Sequence, residues 1–234
     1  MSKSSGIAGQ QGEQNVTAKT AVSAKNLEAL GAPRLAELLA EISAGNAAAK
    51  RRLRLELAAA RSPGDVAKEV RKRLTTIGRS RSFVDWQGIR SLADDLHIQR
   101  RAIVETVAKS APAEALDLLW RFMALAPTVF DRCDDSSGTV SGVFQQACRD
   151  LGEVASLASA DPVILAERAH DALVANDYGQ FDELIRVLAT ALGQTGLEPP
   201  EATYDRSIEP SDNEARREGP RENRLVVFGS DLRR

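Results

Sequence analysis

Signals for the start and end of a helix recur at short intervals between residues 26 and 195, and no stretch in that region has a convincing strand pattern. Apolar residues return every three or four positions, as they do on one face of a helix, and each series stops near a glycine or a proline. Gly31, for example, is expected to end a short first helix, and Pro33 to begin the next. We therefore predict an all-α domain over residues 23–196, with an array of about eight short-linked helices that forms an α-solenoid or an irregular bundle.

Four local patterns place individual helices. Asn46 is suited to cap the helix in NAAAKRRLRLELAAAR, and Ser62 followed by Pro63 opens the next one. A side-chain oxygen accepts the free N–H groups of a helix start, and proline fits the first helical position. Asp85 is expected to cap a long helix that runs to Val107. The segment PAEALDLLWRFMALA is apolar on almost every side, which predicts a helix buried between neighbours.

The two ends of the chain differ from this domain in composition. Residues 1–22 contain few large apolar side chains. Residues 197–234 are polar, charged and interrupted by prolines, apart from an apolar run at 225–228. That run either is accidental, which we favour, or adds as a strand or docks in a groove. Segments of this kind bury too little apolar surface to fold alone, so we predict a disordered arm at 1–22 and a disordered tail at 197–234.

The composition also limits the cell compartment. Two cysteines are too few for a disulfide framework, and they lack zinc-type spacing. Residues 1–25 have no apolar run typical of a secretory signal, and no window approaches 18 consecutive apolar residues. We therefore expect a cytoplasmic protein without a membrane partner. Only 4% of the residues are aromatic, so the core should be mainly aliphatic.

The charges are distributed unevenly along the chain. Residues 50–101 carry 14 basic and six acidic side chains, whereas residues 102–234 carry 13 basic and 23 acidic ones. Such a basic segment either binds a polyanion such as nucleic acid, or its charges are solvated or balanced within the protein. Two local pairs, Glu69 with Arg73 and Arg101 with Glu105, have helical spacing. The candidate polyanion-binding residues are Arg51, Arg52, Arg54, Lys68, Lys72 and Arg79.

Two carboxylate–histidine steps raise the question of a metal centre. Asp94 with His97, and Glu167 with His170, have the three-residue spacing that di-iron helix bundles use. A di-iron site also needs two further inward carboxylates. The helical periodicity turns both acids away from the apolar stripes of their helices and toward water. We therefore predict no metal and no cofactor.

The two thiols are the candidates for nucleophilic catalysis. Cys148 lies on an apolar helix face, where cysteine usually acts as a small core residue. Cys133 lies at the edge of a loop beside Arg132, whose charge favours a lower thiol pKa. No spacing links Cys133 to a base, so an enzyme that uses residues 133–137 is only an alternative.

The stretch FDRCDDSSGTVSGVF, residues 130–144, precedes an apolar helical repeat. Asp134, Asp135 and the two serines after them are expected to accept the free N–H groups at the start of that helix. Gly138 and Gly142, four residues apart, predict a groove of small residues for close helix approach. Ligand binding in this loop is the alternative, with Arg132, Asp134 and Asp135 as its candidate residues.

Several segments together resemble an uncharacterised bacterial family of the domain-of-unknown-function type. They are NLEALGAPRLAELLAEI, KRRLRLEL, VAKEVRKRLTTIGRSRSFVDW, AEALDLLWRFMALA and FDRCDDSSGTVSGVF, in this order over about residues 26–195. The resemblance implies a helical, intracellular protein and supplies no catalytic residue. It also implies longer relatives, from which this chain departs near Gly196 as if truncated. The last helix face, with Leu184, Ile185 and Leu188, should then lack a covering neighbour.

These observations favour a non-enzymatic protein-interaction or scaffold module whose partner is another protein. The repeated amphipathic helices and the lack of a catalytic constellation in the sequence are the basis for this hypothesis. The alternative is a polyanion- or nucleic-acid-binding protein that uses the basic surface of residues 50–101. The oligomeric state stays open.

Overall fold

The computed structural model of the chain describes residues 21–193 and residue 196. All of them belong to one unit, Met1–Leu197. Most of the arm predicted at 1–22, and the whole tail predicted at 197–234 with its apolar run at 225–228, lie outside the described residues. The helices are α1 (Ala24–Glu28), α2 (Gly31–Ala44), α3 (Ala47–Ala59), α4 (Pro63–Arg79), α5 (Ile89–Ala102), α6 (Pro112–Met123), α7 (Ala126–Phe130), α8 (Thr139–Leu157), α9 (Pro162–Val174) and α10 (Leu184–Leu192).

The described residues confirm the all-α prediction, since they contain helices and turns but no strand. A π-helix, Ile103–Val107, directly follows α5, so the long helix expected after Asp85 changes its hydrogen bonding near its end. The short helix α7 was not predicted. Gly31 has a φ of +77°, which glycine adopts without strain, and it begins α2 instead of ending α1. No described helix combines the length and the apolar character that crossing a bilayer requires.

Helix α8 is the centre of the core. It packs against α5, α6 and α10, and Arg100 of α5 forms an ion pair with the buried Asp150 of α8. The described helices therefore form an array in which α8 is covered both by the preceding α5 and α6 and by the later α10. The buried face of α8 includes Val140, Phe144, Ala147, Cys148, Leu151, Val154 and Ala155.

Helices α8 and α10 approach each other closely at Gly152. A Cβ atom at this position would be 2.1 Å from the carbonyl oxygen of Val187, so the backbones of α8 and α10 are in contact. The small-residue groove predicted at Gly138 and Gly142 is wrong, because a Cβ at either position meets nothing within 4 Å. Gly138 serves another purpose, since its φ of +68° turns the chain into α8.

The last helix is covered, contrary to the expectation of an unpartnered face. Leu184 and Leu188 are fully buried where α10 packs on α8 and α9. Only Ile185 of the predicted face is exposed. The expectation assumed that a helix following α10 in the sequence would be needed to cover this face. The preceding helix α8 is instead the main neighbour of α10.

Helices α2 and α3 lie at the other side of the bundle and bury little of their surface. Ser43 is the only buried residue of α2, and α3 buries Leu55 and Ala58. Helix α3 packs on α4 and α5. The clefts that separate α3 from these two helices bring the basic segment of the sequence together.

Candidate interaction site

Residues 80–88, here called the aromatic loop, join α4 to α5. Val84 donates its N–H to the carbonyl oxygen of Arg132 at 2.8 Å, and its own carbonyl accepts the N–H of Asp134 at 3.0 Å. These bonds form an isolated parallel bridge between Val84 and Cys133. On either side of the bridge, Phe83 and Trp86 are each 68% exposed. The loop therefore has a fixed backbone and presents two large aromatic side chains to solvent.

Arg132 fixes the same loop from beneath. Its side chain is buried, and its guanidinium donates to the carbonyl oxygens of Ser82 at 3.3 Å and Ile77 at 3.4 Å. Ile77 lies in the last turn of α4, and its carbonyl also accepts the N–H of Ser80 at 3.2 Å. Arg132 thus links the end of α4 to the aromatic loop, and no hydrogen bond joins it to Asp134 or Asp135 among the described residues.

The two aspartates of the 130–144 stretch accept backbone N–H groups. Asp135 accepts the N–H of Val140 at 2.9 Å, and both the N–H (2.7 Å) and the hydroxyl (2.6 Å) of Ser141, at the start of α8. Among the described residues, the side chain of Asp134 accepts only the N–H of Ser136, at 3.2 Å. The helix-start role expected of the pair is therefore carried by Asp135, while Asp134 stabilises the turn before it.

Asp95 organises the basic segment from within. It lies on α5, its side chain is 8% exposed, and it accepts two hydrogen bonds from Arg73 of α4, of which the Nε bond is 2.9 Å long. Arg51 of α3 reaches the same carboxylate at 3.4 Å, and Gln99 donates to its other oxygen at 3.3 Å. One carboxylate therefore joins α3, α4 and α5, and it holds Arg51 and Arg73 in place. The pairing expected between Glu69 and Arg73 is absent from the described contacts, because Arg73 bonds Asp95 instead.

Between α3 and α4 lies an open cleft of about 260 Å³, here called the α3–α4 cleft. Five cations and one carboxylate line it: Lys50, Arg51, Arg54, Lys72, Arg73 and Glu69. Within residues 21–193, no ion pair involves Lys50, Arg54 or Lys72. Because Asp95 balances only part of the charge of Arg51 and Arg73, the cleft is strongly positive.

The α3–α4 cleft continues toward the aromatic loop. A second cleft of about 470 Å³ shares Arg51, Arg73 and Thr76 with it and extends to Phe83. The unpaired cations and one exposed aromatic ring therefore border one continuous surface on the α4 side of the bundle.

Only part of the predicted basic set contributes to this surface. Arg51, Arg54 and Lys72 line the α3–α4 cleft. Arg52 pairs with Glu56 at 3.2 Å, and Lys68 pairs with Asp65 at 3.2 Å, both in exposed positions where such pairs contribute little to stability. Arg79 is exposed in the last turn of α4. The expected pair of Arg101 with Glu105 is present at 2.7 Å.

A family model described as a family of unknown function, DUF6880, matches residues 17–229. The chain belongs to this family. The match supports the resemblance to an uncharacterised domain family, and the matched region extends beyond Gly196, the point at which we expect this chain to depart from its relatives. The search of curated proteins gives no match, and the search of solved structures gives none either.

The two carboxylate–histidine steps of this DUF6880 member lie on α5 and α9. His170 is 78% exposed and lies 3.6 Å from Asp171. Burial, together with the nearby charges of Arg100 and Arg101, lowers the pKa of His97. In the part of the chain that the structure describes, no three His, Cys, Asp or Glu side chains are grouped as metal ligands.

Neither thiol is activated. Burial raises the pKa of Cys133, and the negative charge of Asp135 raises it further, so the opposing effect of Arg132 does not prevail. Burial in the core raises the pKa of Cys148 to about 11. Both cysteines are therefore mainly protonated at neutral pH, which weakens them as nucleophiles.

Asp95, Gln99 and Lys50 are not among the residues that the sequence predicts for the site. A signal existed for the first two, because Asp95 and Gln99 share a helical face with the apolar Leu92 and are four residues apart. A carboxylate on a buried face requires a cationic partner, so this position predicted an internal ion pair. Lys50 begins the KRRLR stretch, which also supplies Arg51 and Arg54 to the α3–α4 cleft.

Proposed function

We propose that this chain is a non-enzymatic protein-interaction module and that the aromatic loop is the centre of its contact surface. The observation that carries the proposal is the exposure of Phe83 and Trp86 on a backbone held by Arg132. Aromatic and arginine side chains are enriched in the energetic centres of protein interfaces. A loop that is already ordered loses little conformational entropy on binding, which favours affinity.

The proposal also covers the type of organism from which the protein comes and the cell compartment in which it acts. A bacterial source is supported by the resemblance described above, and the cytoplasm by the two cysteines, which are both free. The raised pKa values of both thiols support the absence of cysteine-based catalysis.

Capture of partners by the full chain from a native lysate tests the proposal. The double variant Phe83→Ala/Trp86→Ala removes both exposed rings, so it should lose a protein that the unchanged chain retains. Ile164→Ala/Val174→Ala is the control, because these side chains on α9 are 64% and 74% exposed and lie on another element. Retention of the same proteins by both double variants would count against the aromatic loop.

The basic surface supports a second candidate function, the binding of nucleic acid or another polyanion. The specific observation is the convergence of Lys50, Arg54 and Lys72, which have no ion pairs within the described residues, on one cleft. Binding that neutralises phosphates releases counterions, so the logarithm of the affinity should fall linearly with the logarithm of salt concentration. Titration of an oligonucleotide at several salt concentrations is the measurement, and an affinity that is independent of salt excludes this candidate.

A further inference from the structure

We infer that the partner presents a short extended acidic segment with one apolar side chain, whose carboxylates enter the α3–α4 cleft while the apolar group packs on Phe83. This inference rests on the proposed protein-interaction function and specifies the chemistry of the partner. Its basis is that the positive α3–α4 cleft continues into the second cleft, which reaches the exposed ring of Phe83. Arg51, Arg73 and Thr76 line both clefts.

The charges of the surface select an acidic partner. Lys50, Arg54 and Lys72 converge on the α3–α4 cleft without ion pairs in the described part of the chain, and Glu69 is the only carboxylate in its lining. A carboxylate bound there gains charge-assisted hydrogen bonds, whereas a basic segment is repelled.

A protein segment fits this surface better than a nucleic-acid backbone. Many cations of the basic segment already have acidic partners: Arg52 with Glu56, Lys68 with Asp65, Arg71 with Glu114, Arg73 with Asp95, and Arg101 with Glu105. Nucleic-acid binding depends on a series of phosphate contacts, whereas only three unpaired cations meet in the cleft. A few carboxylates match this number, and the adjacent Phe83 offers an apolar contact that a phosphate backbone does not use.

The spacing of the surface sets the length of the segment. Lys72 and Thr76 lie one turn apart on α4, Ser80 follows the C-terminal end of that helix, and both Ser80 and Phe83 line the second cleft. Eight residues of helix cover about 12 Å, and an extended chain covers about 3.3 Å per residue. An acidic group in the cleft and an apolar group on Phe83 should therefore be about four to six residues apart in the partner.

Selection from a displayed library of short random peptides, with the full chain as the target, tests the inference without a known partner. Binders should be enriched in Asp or Glu followed or preceded, about four to six positions away, by a large apolar residue. Their affinity should fall about tenfold or more on Lys50→Ser/Arg54→Ser/Lys72→Ser, and likewise on Phe83→Ser. Lys25→Ser/Lys109→Ser/Arg121→Ser is the matched control, since it removes three exposed charges outside the cleft and should leave the affinity unchanged.

Three outcomes overturn the inference: no enriched peptide, enriched peptides without acidic residues, or equal loss of affinity in the cleft and control variants. If an oligonucleotide displaces the peptides and binds more tightly than any of them, the cleft serves nucleic acid instead. Failure of the proposed function is distinguishable, because it appears in the lysate capture as retention of the same proteins by the unchanged chain and by Phe83→Ala/Trp86→Ala. If Phe83→Ala/Trp86→Ala loses a captured partner while Lys50→Ser/Arg54→Ser/Lys72→Ser retains it, the proposed function stands. The inference of an acidic segment in the cleft is then wrong.

Discussion

Gly152 of α8 lies directly against the carbonyl of Val187 in α10, so close that a Cβ atom at position 152 would be 2.1 Å from that oxygen. No side chain of the partner helix can turn away to relieve such a contact, because the obstacle is backbone. The two helices can therefore pack at this distance only with glycine at position 152. This contact buries Leu184 and Leu188 and thereby attaches the last described helix to the core.

Replacement of Gly152 by alanine should lower the free energy of unfolding by about 1–3 kcal/mol or more, since the added methyl group must push α10 away from α8. Gly142→Ala is the matched control, because Gly142 lies in the same helix with open space around it. There the gain in helix propensity should raise the free energy of unfolding by about 0.4–1 kcal/mol. Chemical denaturation measures both values, and equal effects of the two variants would contradict the close helix contact.

Replacement of Asp95 by alanine should lower the free energy of unfolding by about 1–3 kcal/mol, because it leaves Arg51 and Arg73 partly buried without their shared carboxylate. The neighbouring Asp94 is exposed, so Asp94→Ala is a control with an expected change within about 0.5 kcal/mol. Denaturation of the two variants compares an exposed and a buried aspartate at adjacent positions of one helix. A stability of Asp95→Ala equal to that of the unchanged protein would show that the ion pairs only offset the cost of burying their charges.

The helix-start role of Asp135 gives a further measurable difference. Asp135→Ala should lower the free energy of unfolding by about 0.5–2 kcal/mol, because two backbone N–H groups at the start of α8 lose their acceptor. Asp134→Ala should have a smaller effect, since Asp134 accepts one N–H in the preceding turn. Thermal denaturation ranks the two variants, and a larger effect at Asp134 would contradict the observed hydrogen bonds.

The sequence predicted the features that depend on neighbours along the chain. Asn46 and Ser62 cap α3 and α4 as expected, because a cap and its N–H partners are two or three residues apart. It did not predict the Gly152 contact or the pairing of Arg73 with Asp95, whose members are 35 and 22 residues apart. Such contacts depend on which helices become neighbours, and helical periodicity gives the apolar face of a helix without naming the helix that covers it.

The two thiols should react slowly in the folded protein. Burial raises the pKa of Cys148 to about 11 and that of Cys133 above its ordinary value, so at pH 7.5 the reactive thiolate is a smaller fraction at both positions than in a free cysteine. The alkylation rate of Cys133 should rise with pH through the alkaline range, while Cys148 should be modified only on unfolding. Mass spectrometry after timed alkylation measures both rates. Rapid, selective modification of Cys133 at neutral pH would instead favour the enzyme hypothesis for residues 133–137.

Arg132 should control the order of the aromatic loop. Arg132→Met keeps much of the buried aliphatic volume but removes the donors to the carbonyls of Ile77 and Ser82, so the free energy of unfolding should fall by about 1–3 kcal/mol. Hydrogen exchange at the N–H groups of Val84 and Asp134, which form the bridge across the loop, should become faster. Arg121→Met, at an exposed position of α6, is the control and should leave both properties unchanged. If exchange at Val84 stays the same in Arg132→Met, the β-bridge alone orders the loop, and Arg132 has no part in presenting Phe83 and Trp86.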